Sequence, residues 1–357
     1  MREERMSDDF QKYLRMVAPG TLLNEGLENI LRARTGAIIV VGDSKEVLSL
    51  VDGGFRIDSD FNPASLYELA KMDGAIILSA DAKRILFANT QLNPDAMIPS
   101  AETGTRHRTA ERVAKQTGEL VISISQRRNI ITLYRSNIKY MLRDVGVVLA
   151  KANQALQTLE RYKNVLERAL TNLTAMEFED LATLYDVATA VQRAEMTHRI
   201  ELEIQRYITE LGIEGRLAAM QLEELMVDVK NQGFLIIKDY LREREKTSEQ
   251  VTEQLHNWSA DDVLDLTLLG RALGYGSNIS ALDEAVSPKG YRILTKIPRL
   301  PMPVVENLIE SFGAFQNILS ATIDQLDDVE GIGEVRARAI KEGLHRLREQ
   351  VMLDRHL

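Results

Sequence analysis

The distribution of proline is the feature that most constrains how this chain of 357 residues can fold. Four of its eight prolines lie before residue 100 and the other four lie after residue 287. Proline removes a helical hydrogen bond and clashes with the preceding turn, so helix interiors rarely contain it. The proline-free stretch between them therefore permits long helices. We expect three domains, at residues 1–146, 147–287 and 288–357, which is an ordinary number for this length.

The N-terminal region has the pattern of an α/β domain. Helical spacing of apolar residues predicts helices at residues 9–16 and 22–32, and we expect a third helix at residues 105–116. Short apolar runs typical of strands occur at residues 36–42, 75–79, 84–88, 120–125 and 130–134. The last four runs form two pairs, and a short polar turn joins the members of each pair. We therefore expect two hairpins in this domain.

The rest of the chain predicts only helices. Leucines at positions 156, 159, 166, 170 and 173 recur at intervals that place them on one helical face. Such a stripe favours a packing role, and nothing in residues 147–287 resembles a chemical site. The C-terminal domain opens on the proline-rich segment of residues 297–303 and continues with short helices.

Composition limits the possible functions. The net charge of −9 argues against general coating of nucleic acid, but residues 288–357 contain ten basic and ten acidic side chains and are neutral. Any DNA contact should therefore be local and C-terminal. The chain has no cysteine, which excludes disulfides and thiol catalysis and fits the cytoplasm. We predict neither a signal peptide nor a membrane span. We find no Gly-x-x-x-x-Gly-Lys-Ser/Thr loop, so a kinase or ATPase is poorly supported.

Three segments of the first domain carry groups suited to a nucleotide. Asp73 and Gly74 precede a predicted strand, where a carboxylate can hold a divalent cation, although Asp-Gly is mainly a turn dipeptide. Residues 103–109, Thr-Gly-Thr-Arg-His-Arg-Thr, open a helix whose free N–H groups and arginines suit a triphosphate. The alternative is a helix capped by Thr103 or Thr105, with solvated arginines. Residues 123–128 could place Ser125 and an arginine near phosphate, or could form a polar hairpin turn.

The segment Leu326–Arg338 has the pattern of a helix-hairpin-helix motif. Gly331 and Gly333 permit a tight hairpin whose N–H groups can meet a DNA phosphate. We expect Ile332 to pack between the two helices. The core-facing positions of the second helix are expected to be Val335, Ala339 and Ile340. The side chains then available for the DNA backbone are Arg336, Arg338 and Lys341. A helical hairpin without DNA contacts is the alternative. Residues 297–318 resemble a second, degenerate hairpin, in which Leu-Pro-Met-Pro replaces Gly-x-Gly.

The order and spacing of Asp-Gly-Ala at residues 73–75 and Gly-Thr-Arg-His-Arg at residues 104–108 resemble the diadenylate cyclase family. The resemblance covers roughly residues 5–145, and the helical middle with its hairpin end extends it to the whole chain. It implies a mixed, twisted sheet flanked by helices, followed by an all-α spine and an all-α helix-hairpin-helix domain. It also implies a homo-octamer in which two domains face each other, each with one ATP. The 3′-hydroxyl of each ATP attacks the α-phosphorus of the other, which yields cyclic di-AMP and two pyrophosphates.

The resemblance also implies residue roles. Asp73 would bind Mg²⁺ or Mn²⁺, Gly74 would lie against the nucleotide, and Leu92 would contact adenine through its backbone. The phosphate contacts would come from Thr103, Gly104, Thr105, Arg106, His107 and Arg108. The resemblance implies further phosphate contacts from Thr109, Ser125 and Arg128.

One departure concerns Gln126 and Arg127, which stand where stand-alone cyclases of this family tend to carry acidic residues. Metal coordination would then depend on Asp73 and the phosphates. The hairpin pair resembles units that hold branched DNA, such as Holliday junctions, and we expect such DNA to lower activity. The alternative function is a DNA-binding scaffold whose first domain binds ATP without turnover.

Overall fold

The computed structural model describes residues 8–242 and 246–354, and its contacts divide the chain into two compact units. The sheet unit contains residues 1–153 and 205–219, and the helical unit contains residues 154–204 and 220–357. The expected fold class is confirmed, because a mixed sheet with helices precedes a region built from helices. The segment before residue 8, where we predict no signal peptide, lies outside the described residues. None of the described helices is long and apolar enough to cross a membrane.

The sheet has eight strands in the spatial order β2-β5-β4-β1-β6-β7-β8, and β3 pairs with β5 beside this path. The strands are β1 (Ala37–Val41), β2 (Val51–Asp52), β3 (Phe55–Asp60), β4 (Ala75–Leu78), β5 (Arg84–Leu92), β6 (Leu120–Ser125), β7 (Ile130–Arg135) and β8 (Ile138–Met141). Strands β1 and β4 are parallel and every other described pair is antiparallel. Both predicted hairpins, β4–β5 and β6–β7, are confirmed. The sequence did not predict β2, β3 or β8.

Helices cover both faces of this sheet. The N-terminal helices are α1 (Asp8–Val17), α2 (Leu22–Arg32), α3 (Lys45–Leu50), α4 (Pro63–Leu69) and α5 (Thr105–Thr117). Alternate residues of β1 divide between two apolar cores. Ile39 packs with α1, α2 and α4 on one face, whereas Ile38 and Val40 pack with α3 and α5 on the other. Because α5 packs against β1, β6 and β7, its N-terminus is held beside the start of β4.

Helices make up most of the rest. They are α6 (Val145–Glu179), α7 (Leu184–Leu211), α8 (Arg216–Met226), α9 (Gln232–Tyr240), α10 (Ser248–His256), α11 (Ala260–Leu264), α12 (Leu266–Ala272), α13 (Tyr291–Leu294), α14 (Met302–Phe312), α15 (Phe315–Ser320), α16 (Ile323–Asp327) and α17 (Glu334–Asp354). The five leucines of the predicted stripe on α6 are all buried, so the packing role is confirmed for that face. Short 3₁₀ turns also occur at Gly212–Gly215 and Ile279–Asp283.

The C-terminal helices contain two hairpins with the same backbone course, one between α13 and α14 and one between α16 and α17. Arg299 and Gly331, which are 32 residues apart, both have positive φ, at 62° and 81°. The turn bond from Leu300 N to Ile297 O recurs from Ile332 N to Val329 O. The buried helical positions repeat at the same spacing, with Val305 matching Ala337 and Leu308 matching Ile340. The first hairpin therefore has the same turn geometry as the second without its glycines.

Candidate functional site

A cleft of about 450 Å³ in the sheet unit brings the first two predicted motifs together. It is lined by Ile38, Asp73, Gly74, Ala75, Asn89, Thr90, Gln91, Leu92, Thr105, Arg106 and Thr109. Six of these are predicted site residues, namely five nucleotide contacts and the metal ligand Asp73, although the two motifs lie some thirty residues apart in the chain. The start of β4 and the end of β5 supply one wall, and the first two turns of α5 supply the other. The volume falls within the range of small-molecule sites.

The N-terminus of α5 is open toward this cleft. Gly104 occupies the N-cap position with φ −82° and ψ 139°, and no described side chain caps the helix. The first intrahelical bond runs from Arg108 N to Gly104 O at 2.9 Å, so the N–H groups before it have no helical partner. Neither Thr103 nor Thr105 acts as the cap, so this structure does not support the capped-helix alternative. Free N–H groups and the helix dipole make this end suitable for an anion.

Asp73 and Arg106 form an ion pair across the cleft. The Arg106 Nη2 donates to Asp73 Oδ1 at 2.9 Å, and the Asp73 side chain is 99% exposed. Gly36 makes room for the guanidinium, because a Cβ at that position would lie 2.2 Å from Arg106 Nη1. The carboxylate keeps its second oxygen toward solvent. The pair therefore presents one positive and one negative group at the mouth of the cleft.

Gly74 has a packing role that the sequence did not indicate. A Cβ at this position would lie 2.3 Å from the backbone carbon of Asn89. Asn89 has a positive φ of 52°, and it lies where the pairing of β4 with β5 shifts in register. Thr90 Oγ1 donates to the Ala75 carbonyl at 3.2 Å and fixes the same junction. Gly74 thus lets two strands meet closely, and it also lines the cleft.

His107 lies outside the cleft lining and is half-buried against β7. Its Nδ1 is 3.0 Å from the Tyr134 hydroxyl, and that hydroxyl donates to Glu102 Oε1 at 2.9 Å. Lys139 forms an ion pair with the same carboxylate. Burial lowers the pKa of His107, opposed by the charge of Glu102. Sequence reasoning missed Glu102, Tyr134 and Lys139, because only the fold brings them beside the N-terminus of α5.

Four other predicted phosphate contacts, Thr103, Arg108, Ser125 and Arg128, form hydrogen bonds within the protein instead. Arg108 Nε donates to the Glu102 carbonyl at 3.3 Å, which ties the helix to the preceding loop. Thr103 contributes its carbonyl to the same arginine at 3.5 Å. Ser125 Oγ accepts from Arg128 N at 3.3 Å, as expected for the polar-turn alternative. None of these residues lines the cleft.

The acidic side chains offer little to a metal ion on their own. Within the described parts of the chain, no group of three or more His, Cys, Asp or Glu residues could hold a metal. Asp73 is the carboxylate in the cleft lining. Magnesium sites often use one or two carboxylates together with substrate phosphates. The free oxygen of Asp73 fits such a shared site, in which the nucleotide supplies the other ligands.

The second hairpin exposes the glycines predicted to meet DNA. Gly331 needs its positive φ of 81°, whereas the space around Gly333 is open, because the nearest atom to an added Cβ is 4.0 Å away. Arg336 is exposed and donates to the Gly331 carbonyl. Arg338 is exposed and pairs with Glu334 on the same helix. The hairpin thus presents backbone groups and two guanidinium groups to solvent.

Three expectations for this hairpin differ from the structure. Val335 is 84% exposed and Ala339 is also exposed, so their predicted core positions are wrong, and Ala337 is buried instead. The inward side of α17 consists of Ala337, Ile340 and Leu344, so Ile340 is the one predicted core position of this helix that is confirmed. Lys341 is partly buried and donates to the Leu319 carbonyl at 2.9 Å. Its amino group is therefore hydrogen-bonded to α15 and is not available for DNA in this structure.

Comparisons with known proteins agree along the chain. Residues 24–138 match the family described as DisA bacterial checkpoint controller nucleotide-binding, residues 142–282 match the DisA bacterial checkpoint controller linker region, and residues 314–343 match the helix-hairpin-helix motif. The DNA integrity scanning protein DisA of Carboxydothermus hydrogenoformans is 62% identical over 94% of this chain and 96% of its own length.

More distant relatives match over nearly the whole chain. The DisA proteins of Symbiobacterium thermophilum and Clostridium kluyveri are 59% and 56% identical, over 98% and 99% of this chain and the same shares of their own lengths. Among solved structures, DacA from Staphylococcus aureus matches 39% of this chain and 91% of its own, with 21% identity and a TM-score of 0.30. That last match is too distant to support a conclusion.

Proposed function

The chain belongs to the DisA family and is a diadenylate cyclase with a DNA-binding helix-hairpin-helix module, and we propose that it joins two ATP molecules across two facing copies of its N-terminal domain. The 3′-oxygen of each ATP bonds to the α-phosphorus of the other. The bond from that phosphorus to the bridging oxygen breaks, so two pyrophosphates leave and cyclic di-AMP remains. Each 3′-hydroxyl releases its proton to solvent.

The observation that carries this proposal is the convergence of the open α5 N-terminus with Asp73 in one cleft. The triphosphate would lie against the N–H groups of Thr105 and Arg106, with the Arg106 guanidinium as a fixed positive group. Thr109 is one turn further along the same face and adds a hydroxyl. Leu92 and Gly74 would form the wall beside the nucleoside. Such transfer depends on positioning and on charge stabilisation, and needs no covalent intermediate.

We propose Mg²⁺ or Mn²⁺ as the cofactor, held by the second oxygen of Asp73 together with the phosphates. When bound, the cation would neutralise phosphate charge and lower the pKa of the attacking hydroxyl. Arg106 holds Asp73 Oδ1 and so orients the carboxylate while leaving the other oxygen available. No further acidic ligand is required of this chain, which agrees with Gln126 and Arg127 in the β6–β7 turn.

The test of the reaction is product analysis with ATP and either cation. Wild-type protein should yield cyclic di-AMP and pyrophosphate, and Asp73→Asn should lose at least tenfold in rate, a modest loss for a group that binds a catalytic metal. The matched control is Asp52→Asn, an exposed carboxylate on β2 outside the cleft. Unchanged product with Asp73→Asn would contradict the proposed role. Binding of ATP without product in the wild type would instead favour the scaffold.

The assembly is part of the same proposal. One cleft holds a single nucleotide, so the reaction needs two clefts to face each other, and we expect a homo-octamer in the cytoplasm. A protein held as a monomer should bind ATP but make no product. A mass measurement in solution together with single-turnover product analysis tests this expectation. Full activity in a monomeric fraction would contradict it.

We further propose that the paired hairpins bind branched DNA through its phosphate backbone and thereby lower cyclase activity. The open glycines of the second hairpin and the retained turn at Arg299 in the first support two contacts per chain. Backbone contacts make binding depend strongly on salt and little on sequence, and several chains in one assembly would add avidity. Turnover is measured with and without saturating junction DNA, and equal rates would refute the regulation.

A further inference from the structure

A chain of three hydrogen-bonded side chains lies behind the phosphate-binding end of α5. The Tyr134 hydroxyl is in the middle, 3.0 Å from His107 Nδ1 and 2.9 Å from Glu102 Oε1. Tyr134 is 1% exposed, and the Glu102 side chain is 10% exposed. Water therefore has little access to the Tyr134 hydroxyl, so the hydrogen in each of its two bonds must come from one of the three side chains.

Counting the protons determines which nitrogen of His107 carries hydrogen. Although burial favours the neutral acid, hydrogen bonds from Lys139 and Tyr134 lower the pKa of Glu102, so this carboxylate only accepts. Burial and the bond to Glu102 raise the pKa of Tyr134, so it keeps its single hydrogen and donates it to Glu102. The phenol oxygen must then accept from His107, and Nδ1 must be the protonated nitrogen.

This assignment leaves Nε2 of a neutral His107 with a lone pair and no hydrogen. The Cδ2 edge of the ring, which adjoins Nε2, faces Gly104 at the N-terminus of α5, because a Cβ at Gly104 would lie 3.8 Å from Cδ2. A bound triphosphate offers only acceptor oxygens to this edge. Two lone pairs repel each other, so the contact becomes favourable only when Nε2 gains a proton and donates.

We propose that Glu102 and Tyr134 are positioning residues that fix the Nδ1–H tautomer of His107, so that binding of a triphosphate takes up one proton from solvent. This inference rests on the proposed function, in which the α5 N-terminus holds the triphosphate. It adds to that function a proton-linked contact and two residues that set it. His107 then acts as a donor that charges only when substrate is present.

The charges around His107 set the direction of the pH dependence. Burial lowers its pKa most, Arg128 of the β6–β7 turn and Lys139 of β8 lower it further, and Glu102 of the preceding loop opposes them. Tyr134 of β7 is the neutral contact. The free side chain is therefore mainly neutral above its ordinary value of 6.5, and bound phosphate raises its pKa. Affinity should fall as pH rises from the pKa of His107 in the free protein to its higher pKa in the phosphate-bound protein, by at most about tenfold per pH unit.

Calorimetry measures the proton uptake directly. The probe is 3′-deoxyATP with saturating Mg²⁺, which lacks the attacking hydroxyl, titrated above neutral pH in buffers of different ionisation enthalpy. Wild-type protein should take up about one proton per site, and His107→Gln should take up none. Tyr134→Phe removes the acceptor for Nδ1–H, so a neutral imidazole can place its hydrogen on Nε2, and uptake should fall toward zero while binding persists.

The matched control is Tyr140→Phe. Tyr140 also donates to a buried carboxylate, Glu210 Oε2 at 2.7 Å, but it lies away from the cleft lining. Proton uptake in this variant should equal that of the wild type. Unchanged uptake in Tyr134→Phe would overturn the proposal.

A second readout needs no nucleotide and no variant of Tyr134. Nitrogen NMR of histidine-labelled free wild-type protein, with His107 identified by its loss in His107→Gln, should give the shifts of an Nδ1–H imidazole. An Nε2–H tautomer would overturn the assignment. If the tautomer is as proposed but no protein binds 3′-deoxyATP, then the proposed nucleotide site has failed and the tautomer assignment has not.

Discussion

Removing Arg292 should destabilise the helical unit far more than removing a surface arginine. Arg292 is fully buried on α13, where its Nη1 donates to Thr174 Oγ1 at 2.9 Å and its Nη2 pairs with Glu177 of α6. Asp239 of α9 accepts the backbone N–H groups of residues 290–292 at 2.6–3.0 Å. This cluster joins the first hairpin to two helices of the same unit, so its loss should destabilise the unit as a whole.

The magnitude follows from burial. Breaking a buried ion pair by removing one partner costs about 3–5 kcal/mol, because the other charge stays in the protein interior. For a unit of this size, that cost corresponds to a fall in Tm of about 6–20 °C. Arg338 is the matched surface case, since its pair with Glu334 is 62% and 65% exposed. Such a pair contributes about 0–1 kcal/mol, so Arg338→Met should lower Tm by no more than a few degrees.

The loss of thermal stability in Arg292→Met should also depend on pH, in a direction that can be tested. Burial raises the pKa of Glu177 to about 7 even beside Arg292, and loss of the arginine should raise it further. A folded-state pKa above the unfolded value stabilises at low pH, and that stabilisation disappears as pH rises. The deficit in Tm should therefore be small near pH 4.5, the ordinary value for glutamate, and should grow toward neutrality.

Scanning calorimetry of Arg292→Met, Arg338→Met and the double variant Glu177→Met/Arg292→Met tests this reasoning. The double variant leaves no unpaired charge at this pair and should recover much of the lost stability. At a temperature below every Tm, nucleotide binding should be unchanged, because Arg292 belongs to the helical unit and the cleft to the sheet unit. Equal Tm losses for Arg292→Met and Arg338→Met would refute the argument.

Three further predictions concern other parts of the molecule. Gly74→Ala should lower the free energy of unfolding by about 1–3 kcal/mol, measured by thermal unfolding without nucleotide, because the added Cβ meets the Asn89 backbone. Unchanged stability would show that Gly74 is not needed for packing. Arg299→Gly should keep stability, whereas Arg299→Val should cost about 1–2 kcal/mol at a positive φ; equal Tm values would disprove the strain. Arg336→Gln should reduce the salt dependence of DNA binding by about one ion, and Lys341→Gln should instead lower Tm; the reverse pattern would contradict their placement.

The sequence determined the elements whose signal is local. The runs at residues 120–125 and 130–134 are apolar and β-branched, and a short polar turn joins them, so they predict a hairpin before any neighbour is known. The same is true of β1, with glycines at both ends, and of α5. In contrast, five of the six residues of β3 are exposed. An edge strand of this kind takes its conformation from the strand beside it, so its own side chains give no period to detect.

Tertiary structure decided which side chains contact one another and which are buried. Glu102, His107 and Tyr134 are spread over three elements, and only the packing of α5 on β7 brings them within hydrogen-bond distance of one another. The inward face of α17 was likewise set by its neighbours, which is why Val335 is exposed against expectation. The order of motifs along the chain was enough to reveal a nucleotide domain and a DNA module. Hydrogen-bond partners and burial depend on distances between remote segments, and those distances exist only once the chain has folded.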